Sequence, residues 1–282
     1  MLIFNKINKT KNYIKALRAK NHQIGFVPTM GALHNGHLSL IKNSLNENDN
    51  TIVSIFINPT QFENKQDFMK YPYEIESDIM KLEEISKKII LFSPSNHEIY
   101  QDKIISENFN FNNLDKFMEG KYRKGHFEGV ATIVNKLLNA IEPTKIYFGE
   151  KDFQQLRIIE NLIKKRHPQI NLIRCETIRH KNGLAFSSRN KKLNNSSLKI
   201  ATNLYKALNF VKQNIHTVDL KNIKKQALKY LSQFPEIKIE YLEIADEETL
   251  TTVENCVNGK KYRVFIAAYI FEVRLIDNIK LY

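Results

Sequence analysis

Apolar residues in this chain fall into short β-branched runs, separated by longer stretches in which they recur every three or four positions. Gln23-Ile24-Gly25-Phe26-Val27 reads as a buried strand ending at Pro28. It hands over to the loop Thr29-Met30-Gly31-Ala32, with a helix predicted from about Gly36 to Leu45. The β-branched run from Thr51 to Ile57 stops at Asn58-Pro59, and Ile79, Leu82 and Ile85 set a helical spacing over Asp78 to Lys88. Ile89 to Phe92 then reads as a strand. Gly129 to Ile141 carries Val130, Ile133, Val134, Leu137, Leu138 and Ile141 on one side, and a strand at Lys145 to Phe148 precedes a helix from Phe153 to Lys165. Strands alternating with helices predict an α/β fold with a parallel sheet covered on both faces.

After the run Asn171 to Cys175 the alternation stops. Two helical stretches follow one another, Ser196 to Asn214 and Val218 to Phe234, and strands are read at Ile237 to Ile244, Tyr262 to Phe271 and Val273 to Ile276. Segregated elements predict a second, smaller α+β domain. The boundary is placed near Ile178, giving domains of residues 1–177 and 178–282. No internal repeat or low-complexity block is visible.

Composition narrows the class. At 282 residues, with 42% hydrophobic and 26% charged, the chain can bury a real core and is not dominantly disordered. Cys175 and Cys256 lie far apart, with no Cys or His at metal-ligand spacing, so neither a disulfide scaffold nor a zinc site is indicated. The N-terminus runs into polar residues, and no apolar stretch approaches the ~18 residues of a membrane span. The expectation is a cytoplasmic protein without a membrane partner. A net charge of +13 suits an anionic ligand, nucleic acid or merely solvated helix faces. The basic residues are spread in pairs such as Lys87-Lys88 and Lys224-Lys225, which favours the last of these.

Four short segments carry chemistry. His34-Asn35-Gly36-His37, an HxGH pattern, stands where the first strand of the parallel sheet passes to its helix, the place where free N–H groups and a positive dipole end receive phosphate. Two histidines three residues apart can point the same way and donate to phosphate oxygens, although surface histidines beside a turn would look the same. Gly149-Glu150-Lys151-Asp152 follows the strand ending at Phe148; the lysine suits a phosphate and the aspartate a ribose hydroxyl, or both belong to an ordinary helix start. Phe186-Ser187-Ser188-Arg189 offers two hydroxyls and a guanidinium. Asn58 and Gln61 in Asn58-Pro59-Thr60-Gln61-Phe62, together with Gln155, present amides, which fit a polyol-like substrate better than carboxylates would.

Taken in order, Pro28 to His37, Asn58 to Phe62, Phe148 to Gln155 and Gly183 to Asn190 resemble the signature of the pantothenate synthetase, or pantoate–beta-alanine ligase, family within the nucleotidyltransferase superfamily. The resemblance covers nearly the whole chain. It implies a Rossmann-like domain binding ATP and pantoate, a smaller C-terminal lid domain and a homodimer. It further implies an ATP- and Mg²⁺-dependent condensation of (R)-pantoate with beta-alanine through a pantoyl-adenylate, with no nucleic-acid partner and metal ligands left open. On this sequence the implied ATP site comprises Met30, Gly31, Ala32, Leu33, His34, Asn35, Gly36, His37, Gly149, Glu150, Lys151, Asp152, Ile178, Phe186, Ser187, Ser188 and Arg189. His37, His34, Lys151 and Arg189 are the implied catalytic groups, and Gln61, Gln155 and Asn58 the implied substrate contacts. Phe186 stands where the family usually has Met, Asn182 where Asp is common and Tyr73 where Arg is usual.

Two rival readings share parts of this pattern. An adenylyltransferase that stops at AMP transfer accounts for His34 and His37 but not for the glutamine pair. A nucleic-acid-binding module accounts for the charge, but no stacking platform or RNA-binding motif is present.

Overall fold

The computed structural model describes residues 1–63, 65–101 and 103–282. In chain order the elements are β1 (Leu2–Phe4), α1 (Ile7–Arg18), β2 (Ile24–Thr29), α2 (Asn35–Glu47), β3 (Asn50–Ile55), α3 (Lys65–Met69), α4 (Ile75–Ile85), β4 (Ile90–Phe92), α5 (Asn96–Tyr100), α6 (Met118–Tyr122), α7 (His126–Ile141), β5 (Lys145–Gly149), α8 (Phe153–Arg166) and β6 (Asn171–Cys175). They continue as α9 (Asn195–Asn214), α10 (Leu220–Leu231), β7 (Ile237–Asp246), β8 (Tyr262–Ile270) and β9 (Val273–Lys280). Among the described residues no helix is long and apolar enough to cross a membrane.

By compactness the chain divides into two units. The first is Met1–Asp115, Glu119–Glu150 and Gln155–Glu176; the second is Lys116–Met118, Lys151–Gln154 and Thr177–Tyr282. Two short segments of the N-terminal sequence thus belong with the C-terminal unit, which linear order alone gives no means of seeing.

The first unit is built on a six-stranded sheet in the order β1-β4-β3-β2-β5-β6, with every pairing parallel. Its central strands are buried on both faces: Ile24, Phe26, Val27, Ile52, Val53, Ile146 and Tyr147 are essentially inaccessible. That is why they read as continuous apolar runs and not as alternating ones. β2 runs two residues past the predicted stop and includes Pro28, which pairs with Ser54 of β3. The pairing of β2 with β5 covers only Gly25 and Phe26, so the proline sits where a missing N–H interrupts no ladder to β5.

The short helices α3, α5 and α6 escape the hydrophobic pattern, and so do β1 and α1. β1 is a three-residue edge strand with Leu2 and Ile3 about half exposed, and α1 buries only Thr10, Ile14 and Leu17. A short edge strand and a polar helix with three inward positions leave little signal in hydrophobicity alone. By contrast α7 buries thirteen of its sixteen residues and is legible from Gly129 to its end, although the helix starts three residues earlier, at His126.

The second unit packs α9 and α10 against a three-stranded antiparallel sheet in the order β7-β8-β9. Its core includes Leu204, Leu208, Val211, Ile223, Leu231, Tyr262, Val264 and Ile266. Each such aliphatic residue stabilises the unit by about 1.5–3 kcal/mol on burial. Asn194 and Asp219 cap the two helices by accepting the N–H groups of Ser197 and Asn222.

Candidate functional site

The parallel sheet has one point where its winding reverses, at β2, which pairs with β3 on one side and β5 on the other. In open parallel sheets the crevice outside the carboxyl ends of the strands at that point is where ligands bind. The residues leaving β2 are Met30 to His37, and those leaving β5 are Gly149 and Glu150.

The β2 loop is held in an unusual path. Gly31 and Ala32 both take positive φ, +79° and +50°, the second at a cost of about 1–2 kcal/mol for a residue with a Cβ. Three contacts hold the strain. The Thr29 hydroxyl donates to the Ser54 carbonyl at 2.8 Å and accepts from the Gly31 N–H at 3.1 Å, while the Leu33 N–H donates to the Asp78 carboxylate at 2.7 Å. Asp78 lies on α4, fully buried, with the Lys81 ammonium 3.3 Å from the same oxygen. Ala32 and Leu33 bury their side chains, so they shape the loop and leave ligand contact to its backbone.

That loop delivers the chain into α2 with His34 as the N-cap residue, extended at φ −138° and ψ 172°. The His34 side chain makes no capping hydrogen bond, and no acidic residue stands in the first turn. The positive end of the helix is therefore left for an anion. The His34 and His37 rings stack with centroids 4.0 Å apart and planes 21° from parallel, so the two imidazoles share one direction, as their spacing predicts.

After β3 the chain makes a single 3-10 turn over Pro59–Gln61. Asn58, only 1% exposed, is its organiser. Its amide donates to the Gln61 side-chain oxygen at 3.2 Å and to the Gly129 carbonyl at 3.0 Å, and its oxygen accepts from the hydroxyls of Thr60 and Tyr100. Burial pushes the Tyr100 phenol above its ordinary pKa, outweighing the Thr60 hydrogen bond, so Tyr100 remains a donor at neutral pH. The Gln61 amide in turn donates to the Met30 sulfur at 2.9 Å, which links the 58–62 segment to the β2 loop. The first turn of α7 closes the group: the His126 ring lies 2.8 Å from the Gln61 carbonyl oxygen and 2.9 Å from an Arg123 guanidinium nitrogen. Gln155 is half-buried in the first turn of α8.

The remaining sequence-predicted residues lie in the second unit, where they are ordered by their own network. The Lys151 carbonyl accepts from Asn278 at 2.8 Å, and Asn278 also accepts from Arg263, whose guanidinium stacks 4.0 Å above the Phe153 ring. The Lys151 ammonium lies 3.5 Å from the Asp152 carboxylate. Residues 178–186 form a small hairpin. Phe186 N–H donates to the Ile178 carbonyl, Arg179 bridges to Ala185, and Gly183 turns at φ +91° where a Cβ would stand 2.0 Å from the Tyr205 ring. Arg179 forks onto Asp277 at 2.6 and 2.8 Å, and the Phe186 ring lies 3.7 Å from that of His180. The Ser187 hydroxyl caps the turn that follows by accepting from the Arg189 N–H, and an Arg189 guanidinium nitrogen reaches the Arg274 carbonyl at 3.4 Å.

A family model described as pantoate-beta-alanine ligase matches residues 2–280. The chain belongs to the pantoate–beta-alanine ligase family. It is 45% identical to the pantothenate synthetase of Flavobacterium psychrophilum, with both chains covered completely, and 44% identical to that of Christiangramia forsetii over all of this chain and 99% of the other. Among solved structures it is similar to the pantothenate synthetase of Thermus thermophilus, at a TM-score of 0.92 and 32% identity with full coverage of both. It is also similar to the pantoate-beta-alanine ligase of Francisella tularensis complexed with beta-gamma ATP and beta-alanine, at a TM-score of 0.80 and 36% identity, covering all of this chain and 98% of that one. As a pantoate–beta-alanine ligase the chain is an enzyme that forms a carbon–nitrogen bond.

Sequence motifs alone did not single out Asp78, Tyr100 or His126, which hold the segments that carry the candidate residues. By its residue type Tyr100 suits core or dimer packing more than a substrate contact, and Asp78 and His126 stand in the first turns of helices with no motif of their own. Each acts through buried hydrogen bonds to a segment distant in sequence, a relation that composition and spacing do not encode.

Proposed function

We propose that the chain joins (R)-pantoate to beta-alanine in two steps, using ATP. A carboxylate is a poor electrophile, so pantoate first attacks the α-phosphorus of ATP, releasing pyrophosphate and forming pantoyl-adenylate. The beta-alanine amine then attacks the acyl carbon, the carbon–nitrogen bond forms, and AMP leaves. No enzyme nucleophile is required, and the protein contributes positioning and charge stabilisation.

The observation that carries this reading is the stacked His34–His37 pair at an α2 start without an acidic first turn, linked through Met30 to the amide of Gln61. His37 and His34 donate to the phosphates, with His37 as proton donor, and the loop backbone from Met30 to Leu33 lies along the nucleotide. Gln61 contacts pantoate and beta-alanine, Gln155 contacts pantoate, and buried Asn58 fixes the Gln61 side chain. Gly149 to Asp152, Ile178, Phe186, Ser187, Ser188 and Arg189 bind the nucleotide, with Lys151 and Arg189 on its phosphates.

Mg²⁺ fits as a companion of the nucleotide. Among the described residues no three His, Cys, Asp or Glu side chains are grouped as a metal cage, so its ligands would be mainly phosphate oxygens and water. When bound it neutralises charge on the pyrophosphate. A cytoplasmic homodimer without a nucleic-acid partner completes the reading, as the family resemblance implies.

The test is pyrophosphate exchange into ATP with pantoate and Mg²⁺, then AMP and amide production once beta-alanine is added. Pantoate-dependent exchange followed by amine-dependent AMP release is the expected result. Absence of pantothenate with all three substrates present, from folded protein that binds ATP, overturns it.

A further inference from the structure

We propose that His126 is a positioning residue for the pantoate-contacting Gln61, held as the neutral tautomer that carries its proton on Nδ1. The inference rests on the reading above for Gln61 and concerns a side chain that touches no substrate, being 6% exposed.

The tautomer follows from what surrounds the ring. His126 Nδ1 lies 2.8 Å from the Gln61 carbonyl oxygen, which can only accept, and Nε2 lies 2.9 Å from an Arg123 guanidinium nitrogen, which can only donate. A histidine between an obligate acceptor and an obligate donor must give a proton from Nδ1 and receive one at Nε2. The charged ring would set two donors against each other at Nε2, and the other neutral tautomer would do the same there while setting two acceptors against each other at Nδ1. Arg123 is itself oriented by the Glu119 carboxylate, 3.5 Å away.

The purpose of this arrangement is visible in what else grips the same turn. Asn58 reaches from the turn to the Gly129 carbonyl, and a Cβ on Gly129 would stand 2.7 Å from the Gln61 Cα, so the start of α7 and the Pro59–Gln61 turn are in direct backbone contact. Asn58 and Met30 orient the Gln61 side chain, while His126 supplies the hydrogen bond to its backbone carbonyl. With the main chain and the amide both fixed, Gln61 presents one geometry to a polyol-like acid. This is the way a buried support tightens a binding group it adjoins.

The experiment combines spectroscopy with steady-state kinetics on the full chain. In long-range ¹⁵N–¹H spectra of ¹⁵N-labelled protein at neutral pH, the His126 signals, assigned by their loss in His126→Asn, are expected to show a protonated Nδ1 and an unprotonated Nε2. His126→Ala is expected to raise KM for pantoate tenfold or more while KM for ATP stays within twofold. His126→Asn, which keeps a donor near the Nδ1 position, is expected to recover most of the loss, and His126→Gln is not. A proton found on Nε2, or a folded His126→Ala variant with unchanged KM for pantoate, overturns the assignment. If His126→Ala fails to fold, the spectrum and the Asn-against-Gln comparison decide. Gln61→Ala separates the two levels of argument: unchanged pantoate binding there removes the Gln61 reading and this proposal with it, whereas loss there with none in His126→Ala removes this proposal alone.

Discussion

Replacing Gly129 by alanine sets two effects of known size against each other. In an isolated helix the change gains about 1 kcal/mol, because glycine is the poorer helix former. Here the added Cβ would stand 2.3 Å from the Thr60 carbonyl oxygen, 2.5 Å from the Thr60 carbonyl carbon and 2.7 Å from the Gln61 Cα. All three are backbone atoms that no rotamer change can move aside. Ordinary contact begins at 3.4 Å, so the 3-10 turn and α7 must separate by roughly 1 Å, at an overpacking cost of about 1–3 kcal/mol. The balance is a net destabilisation of about 0–2 kcal/mol, a loss of a few degrees in Tm. Function is more sensitive. A displacement of ~1 Å in a substrate-positioning group costs about 100-fold, so kcat/KM for pantoate is expected to fall by that order with ATP affinity little changed. AMP release measured with pantoate varied at saturating ATP and beta-alanine, beside a thermal melt, reads both quantities. A Gly129→Ala enzyme with a higher Tm and wild-type kcat/KM would refute the close-packing argument.

Further predictions follow from other contacts. Lys151→Ala is expected to slow pantoate-dependent pyrophosphate exchange by about 10²–10³ while its melting curve stays native, the usual consequence of losing one charged donor to phosphate; near-normal exchange removes Lys151 from the phosphate site. Arg179→Ala strands the nearly buried Asp277 carboxylate and is expected to cost about 3 kcal/mol in urea unfolding, the Asn278 N–H softening the loss, while Arg179→Met with Asp277→Leu recovers most of it. Asp78→Ala removes the acceptor for the Leu33 N–H and should weaken ATP binding at least tenfold by calorimetry. Burial, aided by the neighbouring Arg166 charge, holds His167 below its ordinary pKa as a neutral partner of Asn135. The unfolded chain therefore takes up a proton that the folded chain refuses, and stability falls as pH drops below about 6.5, by up to ~1.4 kcal/mol per pH unit. His167→Gln should flatten that slope in unfolding experiments between pH 5 and 7.

What the sequence determined by itself is the set of elements whose burial is nearly complete, and the motifs that stand between them. β2, β3 and β5 were legible because strands buried on both faces need apolar residues throughout, and α7, α8, α9 and α10 because an inward face recurs at helical period. HxGH could be placed at a strand-to-helix junction for the same reason, and its two histidines do stack. Tertiary structure decided the rest. β1 is a strand only because β4 offers its edge, Leu2 to Ile90, and nothing in three half-exposed residues announces that. Residues 151–154 belong with the C-terminal unit because Asn278 and Arg263 hold Lys151 and Phe153, partners more than a hundred residues away. Asn58 read as one amide among several at a sheet edge; folding buries it and spends its hydrogen bonds on Gln61, Thr60, Tyr100 and Gly129. Local propensity and period are properties of neighbours in sequence, whereas a buried polar group is defined by which distant partner satisfies it, and only the folded chain supplies that partner.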